Sequence, residues 1–169
     1  MRWFICFWPL RGRELRILGY PDAAFKNNPD KSTQRGQAVF IAEGRKEGEH
    51  DDRAALVGYD STKIKNAVMS TPVAELRSFV RCFGTCQFLE VLWVDLTGEA
   101  LPIHTRTDAK NLVTTASTTH LPEQRETIHM ITRLRSEACS GSIDDVAHVS
   151  MEDCLSDCLT KGSATRRTS

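Results

Sequence analysis

One long amphipathic helix signal follows three strand signals in this chain and limits the folds open to it. Thr71 can cap such a helix, and Pro72 falls where the first helical residue should be, since its missing N–H has no partner to lose there. Leu76, Phe79, Phe83, Cys86, Leu89 and Trp93 then recur at steps of three and four, drawing one apolar stripe. A stripe of that length needs a broad apolar partner, and a sheet supplies one. Upstream, Arg16–Tyr20 reads as a strand ending at Pro21-Asp22, Gln37–Ala42 as a second and Ala54–Tyr59 as a third. The turn sequence Asn27-Asn28-Pro29-Asp30 and a charged loop over 43–53 separate them, so the first third predicts an antiparallel meander.

Downstream, Gly98 marks the helix exit and Leu101–Thr107 reads as a fourth strand. Asp108–Ser117 predicts a short helix, and Glu123–Ala138 a longer one with Ile128, Ile131 and Leu134 on one face, broken at Gly141. Ile143–Val149 is a fifth strand. Ser150 with Asp153 has the spacing of a capping box and predicts a last helix running to Thr160. Strands and helices in this order define an α/β domain with a mixed sheet.

At 169 residues the chain has the length of one domain. We expect a ragged end or extra strand over 1–14, the domain over 15–161, and a polar, basic, disordered tail over 162–169. Lys and Arg total 22 and Asp and Glu total 22, which excludes a protein that coats nucleic acid by bulk charge; such contact needs a local patch. Arg133, Arg135, the stretch Lys161–Arg167 and the basic residues of the 43–53 loop are the candidates. No stretch approaches the roughly 20 apolar residues of a membrane helix. The apolar run Trp3–Leu10 contains Pro9 and is followed by Arg-Gly-Arg without a small-residue cleavage site, so it reads as a strand and not as a secretion signal, and an intracellular protein is expected. The pairs Cys82/Cys86 and Cys154/Cys158 are spaced i,i+4, the spacing of one helix face; zinc knuckles use a closer spacing.

Four carboxylates fall at element ends: Asp22 closing the first strand, Glu75 in the first turn of the long helix, Asp108 closing the fourth strand, and Asp157 in the last helix. Gathered together they would repel one another unless cations intervene, and hard oxygen donors suit Mg²⁺. Two such ions about 3.5–4 Å apart can drive in-line phosphodiester displacement. Each residue also has an ordinary reading as a solvated carboxylate or a helix cap. Five acidic residues and no Lys or Arg between Ser142 and Thr160 fit either reading.

These residues lie in motifs that resemble the ribonuclease H domain of copia-type LTR retrotransposon polyproteins. That family carries GYSDADW at its first strand, where residues 19–25 here read GYPDAAF. Its DRRSTSGYVFF is matched by DKSTQRGQAVF over 30–40, its SSTEAEY by STPVAEL over 70–76, its CDNQSA by TDAKNL over 107–112, and its ADILTK by SDCLTK over 156–161. The five segments occur in family order and span about Leu15 to Lys161. The departures are Pro21 before the first Asp, Ala24 in place of a second Asp, one extra residue ahead of Ala74-Glu75, and His148-Val149-Ser150 with Cys154 where the family has Tyr-Val-Pro and Gln.

The resemblance implies a ribonuclease H-like α/β fold, with a mixed five-stranded sheet and helices on both faces. It implies that Asp22, Glu75, Asp108 and Asp157 hold two Mg²⁺ ions, with Mn²⁺ as a substitute. The implied reaction is hydrolysis of the RNA strand of an RNA–DNA hybrid, with an upstream reverse transcriptase domain as a further partner and a cytoplasmic, virus-like-particle setting for a live element. His120 is a candidate for assisting product release. The alternative is a catalytically decayed fragment of the same fold that binds nucleic acid weakly.

Overall fold

The computed structural model describes residue 10 and residues 14–43, 53–118 and 125–161. The N-terminal apolar run, most of the charged 43–53 loop, His120 and the 162–169 tail lie outside the described residues. The elements follow the order read from the sequence: β1 (Leu15–Ala24), β2 (Gln34–Glu43), β3 (Ala54–Lys63), α1 (Thr71–Thr97), β4 (Ile103–Thr107), α2 (Lys110–Ser117), α3 (Arg125–Cys139), β5 (Asp145–His148) and α4 (Asp157–Thr160). The sheet order is β3-β2-β1-β4-β5; β1, β2 and β3 pair antiparallel, whereas β4 joins β1 and β5 joins β4 in parallel.

Three local details differ from the sequence expectation, each for a physical reason. β1 does not stop at Pro21 but continues to Ala24, with Pro21 opposite Gln37 and Asp22 opposite Gly36. Because β4 pairs only with Ile17–Gly19, β1 beyond Gly19 is an edge on that side, where a proline's missing donor is tolerated. The cap of α1 is Ser70, not Thr71, so Glu75 is the fifth helical residue and sits past the first turn. The last helix is only four residues long. Ser150 and Asp153 do form the reciprocal pair, Asp153 N–H donating to Ser150 Oγ at 3.3 Å and Ser150 Oγ–H to Asp153 Oδ2 at 2.6 Å. Helix does not follow, because Cys154 and Ser156 are both buried and alternate burial is not a helical period.

The apolar stripe of α1 lies on the sheet as its spacing requires. Leu76, Phe79, Cys82, Phe83 and Cys86 are buried with Ile17 and Val39 of β1 and β2, Leu112 of α2 and Ile131 and Leu134 of α3. Leu89 and Trp93 pack against the same core, and Gly98 ends the helix at φ 77° with its N–H on Val94 O. Gly19 permits the close fit of α1 to β1: a Cβ there would stand 2.9 Å from Cys86 Sγ and 3.0 Å from Cys82 Sγ. Residues three apart on a strand face opposite sides, so Asp22 and Gly19 point away from each other. On the Asp22 side sits α4. A Cβ on Gly36, the partner of Asp22, would stand 2.8 Å from Thr160 Cγ2 and 2.9 Å from Leu159 Cβ. Helices therefore cover both faces.

Candidate metal centre

Three elements bring three carboxylates together. Asp22 is the eighth residue of β1, Glu75 projects from α1, and Asp108 follows the last residue of β4. One oxygen from each lies within 4.8 Å of the other two, the sole metal-compatible group of His, Cys, Asp or Glu among the described residues. Sequence reasoning placed Asp108 as a helix cap if not a ligand. The hydroxyl of Thr107 instead accepts the Ala109 N–H at 3.2 Å, which leaves the Asp108 carboxylate uncommitted. Its Oδ1 is buried without a hydrogen-bond partner.

Asp22 is almost wholly buried, at 5% exposure. Burial raises its pKa above the ordinary carboxylate value; the hydroxyl of Thr160, donated to Asp22 Oδ2, works against that rise, and the charges of Asp108 and Asp157 reinforce it. Glu75 is pushed up to about 8 by burial first and then by Asp22 and Asp108. Without a cation this group keeps a proton near neutral pH. A buried carboxylate oxygen with no donor, beside two neighbours whose charged forms are disfavoured, is the electrostatic signature of a site that wants positive charge. The donor set is all carboxylate oxygen, which suits a hard divalent ion.

Asp157 stands outside this triad. It opens α4 and its Oδ1 pairs with Lys161 Nζ at 2.6 Å, although it is close enough for its charge to act on Asp22. α4 is itself anchored at the site: Thr160 is 3% exposed and holds Asp22, and Ser61 of β3 donates to Leu159 O. Glu75 and Asp108 open onto a cleft of about 950 Å³, with Asn111 and His148 on its rim and Leu76 and Ile131 deeper in.

Thr160 and His148 were missed as site residues by sequence reasoning. His148 lies within the fifth strand signal and is the last residue of β5; nothing in the sequence marks Thr160 as a partner of a residue 138 positions away. The other sequence candidates are elsewhere. Arg133 pairs with Glu137 within α3, and Arg135 donates to Thr115 O, tying α3 to α2. Cys82 and Cys86 are core residues beneath Gly19, and Cys158 is exposed while Cys154 is buried.

No family model matches the chain, and no curated protein matches it. Solved structures do. LC11-RNase H1, determined with an RNA/DNA hybrid, superposes with a TM-score of 0.59 at 14% identity over 85% of this chain and 93% of that one. The N-terminal RNase H domain of rv2228c from Mycobacterium tuberculosis, fused to maltose-binding protein, gives 0.59 at 15% over 87% and 91%. A foamy viral protease-reverse transcriptase bound to dsDNA gives 0.52 at 12% over 91% and 96%. The chain therefore has the ribonuclease H-like fold. No helix among the described residues is long and apolar enough to cross a membrane.

Proposed function

We propose that this protein is a retroelement-derived ribonuclease H that hydrolyses the RNA strand of an RNA–DNA hybrid with two Mg²⁺ ions. The observation that carries the reading is the convergence of Asp22, Glu75 and Asp108, with one buried carboxylate oxygen left unpartnered, on a ribonuclease H-like sheet. Asp22, Glu75 and Asp108 would hold the cations, and Asp157 would join them on release from Lys161. Bound there, divalent ions supply an activated water and neutralise charge on the leaving oxygen. Thr160 of α4 fixes the orientation of Asp22 from the face of the sheet opposite α1, and outer-shell bonds of this kind sharpen ligand geometry. His148, at the cleft rim, is placed to exchange a proton with solvent-facing product, and Asn111 to donate to a phosphate or sugar oxygen.

A hybrid bound at the cleft and a lineage close to the copia-type elements follow from the motifs at 19–25, 70–76, 107–112 and 156–161. In that lineage the domain acts beside a reverse transcriptase inside the cell. The second reading, a decayed fragment with the same fold, is favoured by one feature: Asp157 is committed to Lys161. Cleavage of a strand-labelled RNA–DNA hybrid in Mg²⁺ separates the two readings. The active enzyme cuts only the RNA strand, leaves a 3′-hydroxyl, and loses at least about 10²-fold in rate in Asp108→Asn, the scale of deleting a preorganised charge-stabilising group. A folded protein that leaves the hybrid intact in Mg²⁺ and Mn²⁺ supports the decayed fragment.

A further inference from the structure

We propose that the outer face of α1 pairs antiparallel with the same face of a second copy of this chain, about a two-fold axis at Phe88. The second half of α1 turns Leu89 and Trp93 to the core and leaves a second apolar stripe outside. Phe88 is 67% exposed, Val91 56% and Leu92 42%. With Arg81, Gly84 and Asp95, all exposed, these residues follow each other at helical steps and share one side of the helix. Contiguous exposed apolar surface of this kind marks an interaction site.

The pattern along that side identifies the partner. Arg81 lies seven residues before Phe88 and Asp95 seven after it; Gly84 lies four before and Leu92 four after. An antiparallel two-fold pairing therefore sets Arg81 of each copy against Asp95 of the other, at both ends of the seam. It sets each Leu92 over the other copy's Gly84, where open space exists, since a Cβ on Gly84 would meet nothing within 4 Å. The two Phe88 rings meet at the axis, a favourable aromatic contact. Such self-complementarity is what an isologous interface requires, and a parallel pairing would instead set Arg81 on Arg81 and Asp95 on Asp95. Glu75 lies toward the opposite end of the helix from Leu92. At about 1.5 Å per residue, the two acidic centres would stand roughly 40 Å apart along the seam, both clear of it.

Sedimentation velocity on the full-length chain at low ionic strength tests this. A concentration-dependent shift from 18.9 kDa to twice that mass is expected. Phe88→Glu should weaken association roughly tenfold or more, as should Arg81→Asp and Asp95→Arg separately, because each single charge reversal makes both ends repulsive. Mixing the Arg81→Asp and Asp95→Arg proteins should restore the dimer, since both ends are then attractive again. All three side chains are exposed, and unchanged circular dichroism and melting verify folding. A monomer at every concentration, a dimer indifferent to Phe88→Glu, or no recovery on mixing the charge-reversed proteins overturns the proposal.

Discussion

The two faces of the sheet are held in place by very different means. On one side α1, α2 and α3 enclose a continuous apolar core in which Phe79, Cys82, Phe83 and Cys86 are nearly or fully inaccessible. On the other, α4 has four residues and is fixed by a notch at Gly36 and by the hydroxyls of Thr160 and Ser61. Stability comes from the first face, because burial of apolar surface dominates folding. The orientation of Asp22 within the acidic triad depends on the second, because Thr160 donates to it, while Glu75 is carried on α1. Bulk stability and the orientation of Asp22 are thereby assigned to opposite sides of one strand, β1, through Gly19 and Asp22.

Glycine substitutions on the two faces should separate these roles. The largest effect is expected from Gly36→Ala, whose new methyl displaces Thr160 and Leu159 and so loosens Asp22. Loss of such an outer-shell partner typically costs about 10–100-fold in metal affinity or activity. Hybrid cleavage and Mg²⁺ titration read it, alongside a melting curve that moves little. Gly19→Ala should do the reverse. Its methyl meets two buried sulfurs at 2.9 and 3.0 Å, and overpacking of this kind costs about 1–3 kcal/mol, measured by denaturant unfolding. The cleavage rate per folded molecule should stay the same. If Gly36→Ala costs stability and Gly19→Ala costs only activity, the division between the faces is wrong.

The smallest effect is a pH dependence. Glu75 has a pKa of about 8 in the folded state against 4.5 as a free side chain, so the folded protein binds this proton more tightly than the unfolded one. The stability it brings is full below about 4.5 and is lost as pH rises to about 8. In chelator, the melting temperature should therefore fall over that interval, Glu75→Gln should reduce the slope, and saturating Mg²⁺ should offset the loss. A slope that Glu75→Gln leaves unchanged would mean that the triad is not electrostatically strained.

The order of elements was legible in the sequence because apolar periodicity switches cleanly between strand and helix, and the stripe from Leu76 to Trp93 had only a sheet to lie on. Asp22, Glu75 and Asp108 could be picked out because each sits beside an element boundary that the pattern already marked. The run of β1 through Pro21 was hidden, since whether a proline is tolerated depends on where β4 stops pairing. The length of α4 was hidden for a related reason: Ser150 and Asp153 form a genuine cap pair, and only the tertiary burial of Cys154 and Ser156 prevents helix from following. Thr160 was beyond reach, because its partner Asp22 is 138 residues away and only the tertiary fold brings the two together. The exposed stripe about Phe88 could be written down from the sequence but not interpreted until the inner face of α1 was known to be filled by Leu89 and Trp93.

Calorimetric titration of the chain with Mg²⁺ and Mn²⁺ beside Asp108→Asn asks whether the triad is a cation site before any chemistry is involved. Saturable divalent binding to the parent protein is expected, with release of the proton held by Glu75 and loss of that binding in Asp108→Asn. A well-folded parent protein that binds neither ion at millimolar concentration, or that binds both as well after Asp108→Asn, would contradict that expectation.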